Sequence, residues 1–232
     1  MSAKIVHVLC EGQTEQGFVD KVLRPYLCDN GCAAVKSILV TTNKKKNARG
    51  GLVTYLHAKN DLQIMLASNK DGESERHIFT TMFDLYALPP DFPKYAESHT
   101  ITDRYDRVTA FERAFADALG SERFIPYIQL HEYEALVFCG LDYLKEMYKG
   151  TEKSIDKLKK ELATIGNPEL INDKPSTAPS KRIINAIEGE KKTCFNYDKP
   201  KAGQFVAQRV GIESLRSQCR HFNEWIEKLI NG

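Results

Sequence analysis

Hydrophobic positions along this chain switch repeatedly between a short-run pattern and a helical one. Ile5 to Leu9 is an apolar run with Val6 and Val8 inside it, and reads as a strand. After it, Phe18, Val22 and Tyr26 fall on one helical row and Val19, Leu23 and Leu27 on the next. A helix therefore follows, entered through a tight turn in which Gly12 allows the bend and Thr14 serves as N-cap. Ala34 to Val40 is a second strand. The polar, basic stretch from Thr41 to Gly51 is a loop, and Leu52 to Leu66, with Leu56, Leu62 and Met65 at helical spacing, is a second helix. Ile78 to Phe83 is a third strand ending at Asp84; Leu88 to Pro93 is too proline-rich for regular structure. Arg107 to Leu119 is a third helix through Val108, Phe111 and Phe115. Phe124 to Leu130 is a fourth strand, interrupted by Pro126 and running into His131-Glu132-Tyr133-Glu134.

Strands alternating with helices of this length predict an α/β fold: a parallel four-stranded sheet with right-handed crossovers and helices on both faces. From Tyr143 onward charged helical segments dominate, broken at Gly166-Asn167-Pro168 and near Pro175 and Pro179. The last stretch, Gly211 to Ile230, carries Leu215, Phe222, Trp225, Ile226 and Leu229 at helical spacing, with Trp225 placed in the core. The expected organisation is an α/β domain over residues 1–140 and a helical extension over 141–232 packed on it.

Composition adds limits. Of 232 residues, 42% are hydrophobic and 28% charged, so a sizeable core is available without disulfides. A net charge of +2 supplies no strong overall field for nucleic acid or membrane, and any such attraction must come from local patches. The 6 cysteines form no C-x-x-C pair, and reduced thiols in the cytoplasm are expected. The spacing Cys28-x-x-x-Cys32 has no second pair to complete a metal site. There is no apolar run of the roughly 20 residues needed to span a bilayer and no signal-peptide pattern at the start, so no membrane association is expected.

The candidate chemistry lies at the strand ends. Glu11 and Glu15 follow the first strand, Asp84 the third, and Glu132 and Glu134 the fourth. In a parallel sheet these ends share one rim, where α/β proteins keep their sites. Carboxylates gathered there repel unless cations neutralise them. Magnesium or manganese, one ion or two, prefers such oxygen ligands, and two ions about 4 Å apart would stabilise a phosphodiester displacement. All five acids are therefore candidate metal ligands and catalytic residues. Lys44, Lys45, Lys46 and Arg49, with Gly50 and Gly51, follow the second strand on the same rim and are candidate phosphate or nucleic-acid contacts. Lys181 and Lys199, behind later proline-containing loops, are candidates to stabilise developing negative charge. His131 and Asp91 are possible supporting groups. The pair His131-Glu132 is not the H-E-x-x-H zinc signature, because position 135 is Ala. If residues 131 to 134 are extended, Glu132 and Glu134 share a face; if helical, His131 and Glu134 do.

The segments Glu11-Gly12-x-Thr14-Glu15, Gly50-Gly51, Met82-Phe83-Asp84-x-Tyr86-x-Leu88-Pro89, His131-Glu132-Tyr133-Glu134-Ala135-Leu136, Pro179-Ser180-Lys181-Arg182, Tyr197-x-Lys199 and Arg216-x-x-Cys219-x-His221-Phe222-x-x-Trp225 resemble the family known as domain of unknown function 4276, over nearly the full length. That family in turn looks like the Toprim superfamily, especially the nuclease half of the overcoming-lysogenization-defect proteins. The Glu-x-x-x-Glu turn matches Glu11 and Glu15. The usual Asp-x-Asp after the third strand is here Asp84-Leu85-Tyr86, one carboxylate short, a place that Asp91, Glu132 or Glu134 would have to fill. The resemblance implies a Toprim-like fold and a magnesium-dependent nuclease acting on DNA or RNA, linked to an ATPase partner in phage defence. The alternatives are a non-catalytic Toprim-like partner of an ATPase, or a hydrolase of a small phosphate ester. A homodimer is compatible with any of these.

Overall fold

A computed structural model describes residues 2–43, 48–172, 175–189 and 194–232. The chain begins β1 (Ala3–Cys10), α1 (Gln13–Phe18), a π-helical turn (Val19–Leu23) and α2 (Arg24–Asp29). It continues through β2 (Cys32–Leu39), β3 (Thr41–Asn43), β4 (Ala48–Arg49), α3 (Tyr55–Ser68) and β5 (Glu75–Asp84). Next come α4 (Tyr95–His99), α5 (Arg104–Leu119), β6 (Phe124–Ile125), β7 (Ile128–Gln129) and α6 (Glu134–Val137). The remainder is helical: α7 (Leu141–Met147), α8 (Glu152–Ile165), α9 (Pro179–Glu188), α10 (Lys199–Val210), α11 (Ile212–Gln218) and α12 (Arg220–Asn231).

The sheet is parallel, in the order β2-β1-β5-β6, with β7 also pairing β5. The expected fourth strand is thus two short pieces on one line. Pro126 has no N–H for the ladder, so Phe124–Ile125 pairs opposite Phe79–Thr80 and pairing resumes opposite Phe83–Asp84. Across the gap the Thr81 hydroxyl accepts from the Tyr127 amide and donates to its carbonyl, both at 3.0 Å. That places residues 130–134 beyond the carboxyl ends of β5 and β7, on the rim where β1 also ends.

Side chains alternate across the sheet as a strand's period of two requires. On β1, Val6, Val8 and Cys10 enter one core and Leu9 the other; on β5, Ile78 and Met82 oppose Phe79 and Phe83. The second face is covered by α3 and α5 through Leu62, Met65, Phe111 and Phe115. The first is covered by α1, α2 and the C-terminal helices together. Residues on both sides of the expected boundary at 140 therefore share one core, and the chain passes that point through a short 3-10 turn, Phe138–Gly140, directly into α7. Trp225 lies in this core, stacked on Tyr127 with ring centroids 4.0 Å apart, its indole N–H donating to the Thr80 hydroxyl at 2.8 Å.

Three local expectations are corrected. The N-cap of α1 is Gly12, not Thr14; Glu15, in the third helical position, reaches back to the Gly12 amide. The first helix is interrupted by the π-helical turn. The stretch from Thr41 to Gly51, expected as loop, contains the antiparallel pair β3–β4. No described helix is long and apolar enough to cross a membrane.

Candidate metal centre

The end of β1 is stitched to the end of β5. The Glu11 amide donates to the Met82 carbonyl at 3.1 Å, which extends the parallel ladder by one residue. The Glu11 carboxylate then accepts from the Asp84 amide at 3.0 Å. Asp84, the last residue of β5, accepts from the Tyr133 amide at 2.9 Å. Each strand-end acid thus ties its own strand to the backbone of the next. Glu15 accepts from the Gly12 amide at 2.8 Å, which holds it over the same turn.

The segment after β7 satisfies neither simple alternative. His131 takes a left-handed conformation at φ 65°, costly for a residue with a Cβ, and α6 begins only at Glu134. This bend lets Glu132 and Glu134 approach from one side. Glu132 accepts from the Ser180 amide in the first turn of α9. Glu134, 2% exposed, pairs with the Lys199 ammonium at 3.1 Å, and Glu132 stands 3.9 Å from the same ammonium. Lys199 opens α10, whose N-cap Asp198 accepts from the Lys201 amide, so the helix start fixes the lysine against the rim.

Burial and neighbouring charges shift the ionisation of Asp84, Glu11, Glu134 and Glu15. Burial pushes Asp84 well above the usual carboxylate range, and the charges of Glu15, Glu11, Glu134 and Glu132 push it further. All four other candidates therefore act on Asp84. Burial lifts Glu11 to about 7, opposed by the Asp84 amide and reinforced by Glu15. Burial lifts Glu134 to about 7 as well, with Lys199 opposing and Glu132 adding. Glu15 is raised, again chiefly by burial, against its amide bonds and Lys199. Burial pulls Lys199 down, but Glu134, Glu132 and Asp84 outweigh it and raise the ammonium above its usual value.

The remaining candidates divide. Gly50 and Gly51 both have positive φ, at 92° and 80°, a conformation glycine adopts without penalty. Their amides donate to the Val40 carbonyl at 2.9 Å and the Glu11 carbonyl at 2.7 Å. They dock the loop on the Glu11 turn and have no amide left for an anion. Asp91 caps α3, both its oxygens accepting from the Tyr55 amide at 3.0 and 3.1 Å; it is not brought to the acids. His131 is buried, its ring tilted against that of Tyr86 with centroids 5.4 Å apart, and its carbonyl accepts from the Tyr86 amide. Lys181 is exposed on the first turn of α9. Lys44, Lys45 and Lys46 lie outside the described residues, as does the side chain of Arg49. Tyr133 and Ser180, whose amides hold Asp84 and Glu132, were not singled out from sequence, and backbone donors leave no side-chain signal to find.

As a donor set, five carboxylates beside one ammonium suit a hard divalent cation in kind and charge. Each oxygen held by an amide leaves its partner oxygen for a ligand. Among the described residues, however, no three His, Cys, Asp or Glu side chains are arranged around a common point that could hold an ion. Loading would require side-chain rotation.

Comparison with known families gives one match: the family described as "Domain of unknown function (DUF4276)" matches residues 10–230. The chain belongs to this family. No curated protein and no solved structure matches it.

Proposed function

We propose that the chain is a divalent-metal-dependent phosphodiesterase acting on DNA or RNA, on a Toprim-like sheet. The observation that carries this reading is the concentration of Glu11, Glu15, Glu132 and Glu134 around Asp84 with Lys199 as the adjacent cation. Magnesium or manganese, when bound, would neutralise these carboxylates and polarise a phosphate. Glu11, Glu15 and Asp84 would hold it, with Glu132 and Glu134 completing the shell or orienting water. Lys199 would stabilise charge on a phosphoryl group; Lys181, exposed on the first turn of α9, is a second candidate. The likeness to overcoming-lysogenization-defect proteins adds an ATPase partner and a cytoplasmic role in phage defence to this proposal. The test is cleavage of DNA and RNA with manganese or magnesium, comparing wild type with Glu11→Gln and Asp84→Asn. Cleavage by wild type alone supports the reading; equal activity in all three excludes these roles.

A second reading is favoured by the lack of three converging ligands among the described residues: a non-catalytic partner of an ATPase. Co-purification with an ATPase and no cleavage under any metal would support it. A small phosphate ester in place of a polymer is distinguished by salt, since only polymer binding falls steeply as salt rises.

A further inference from the structure

Cys139 and Cys219 are 80 positions apart in sequence, yet their Sγ atoms lie 3.4 Å apart. Cys139 is partly exposed and lines a cavity of about 500 Å³ with Asp142, Lys159, Leu162 and Gln218. Cys219 is fully buried between α11 and α12. One thiol is thus reachable by a small solute, and the other waits behind it in contact. Neither is used by the acid rim.

We propose that Cys139 and Cys219 form a peroxide-responsive dithiol, converted to a disulfide by two-electron oxidation. The Cys139 sulfur attacks one peroxide oxygen, the O–O bond breaks, and sulfenic acid and one water result. The Cys219 sulfur then attacks the Cys139 sulfur; its proton leaves with the hydroxyl as a second water, and the S–S bond forms. Two thiols are oxidised and one peroxide is reduced to two waters. The order follows access: the exposed sulfur meets the oxidant, and the buried one is shielded from over-oxidation.

The bond would reach the layer around the rim. The 3-10 turn holding Cys139 is wedged against α10: a Cβ added at Gly140 would lie 2.4 Å from Val210 and 2.7 Å from Val206. The turn is continuous with α6, which begins at Glu134, and α10 begins at Lys199. Oxidation therefore ties α11–α12 to the segment that links both members of the Glu134–Lys199 pair.

The experiment is treatment of the intact protein with hydrogen peroxide, followed by non-reducing peptide mapping and thermal melting. Wild type is expected to give a Cys139–Cys219 linked peptide and a melting temperature higher by about 5 °C. Cys139→Ser should give neither, and Cys219→Ser should give a dimedone adduct on Cys139. Sulfinic acid at Cys139 without a crosslink in wild type, or a Cys28–Cys32 bond in its place, overturns the proposal. If a variant fails to fold, the wild-type peptide map alone decides.

Discussion

Two groups of buried or partly buried acids differ in the charges that surround them. Glu169, fully buried, accepts from the His221 and Phe222 amides in the first turn of α12 and from the Tyr105 hydroxyl, each at 3.0 Å. Glu112 accepts from the Ile128 amide at 2.8 Å and pairs with His221 at 2.9 Å. These acids face donors, and they clamp α12 and α5 to the sheet. At the rim, Glu11, Glu15 and Asp84 also accept backbone amides, but the charges of Glu11, Glu15, Glu132 and Glu134 all act on Asp84, with Lys199 as the adjacent cation. Low exposure and a backbone donor are common to both groups, with Glu11 and Asp84 only partly buried. What distinguishes a candidate site is burial among like charges, which is costly unless protons or cations intervene.

That contrast can be broken experimentally. The largest effect is expected for Glu169→Ala, which removes the acceptor of two buried amides and one partly buried hydroxyl and should lower unfolding free energy by on the order of 3–5 kcal/mol, measured by urea denaturation. Next is pH. Glu11 is raised in the folded state from 4.5 to about 7, so its proton favours the folded form. Its contribution is complete below 4.5 and lost as pH rises to about 7, an upper bound on the order of 3 kcal/mol. His221 is pulled down by burial but raised on balance by Glu112 and Glu169. Its contribution is complete below about 6.5 and is lost at higher pH. Stability measured across pH 4.5 to 8 should thus fall, and Glu11→Gln should flatten only the lower part of that fall.

A smaller effect of opposite sign is expected for Asp84→Asn. The amide oxygen can still accept from Tyr133, and a group that burial and the other acids already bias toward its neutral form becomes permanently neutral, so stability near pH 7.5 should rise by at most about 1 kcal/mol as function is lost. Lys181→Ala, on an exposed first turn, should change stability by less than about 0.5 kcal/mol. A large loss there would mean that the rim depends on a cation other than Lys199.

Much of this was legible in the chain because the signals are local. Val6, Val8 and Leu9 mark a strand by themselves, and acids immediately after strands must share a rim if the strands are parallel. The split of the fourth strand was half legible: Pro126 announced a break, but the Thr81 hydroxyl that bridges it sits on another strand. The small β3–β4 pair is not legible because a basic, polar stretch carries no hydrophobic alternation. The Gly50-Gly51 pair is plain in the sequence, but its purpose depends on the Val40 and Glu11 carbonyls its amides meet. Lys199 was one of several late cations, and only the packing of α10 on α1 and α6 separates it from Lys181. The left-handed bend at His131 has no sequence signature, since only glycine marks such a conformation reliably.

The most direct measurement is calorimetric titration of manganese at pH 7 in two buffers of different ionisation enthalpy. Carboxylates that share protons near neutral pH must release them when a cation binds. Wild type should bind manganese with release of about one proton, and Asp84→Asn should lose both binding and release. Binding without proton release, or binding undiminished in Asp84→Asn, would contradict the account.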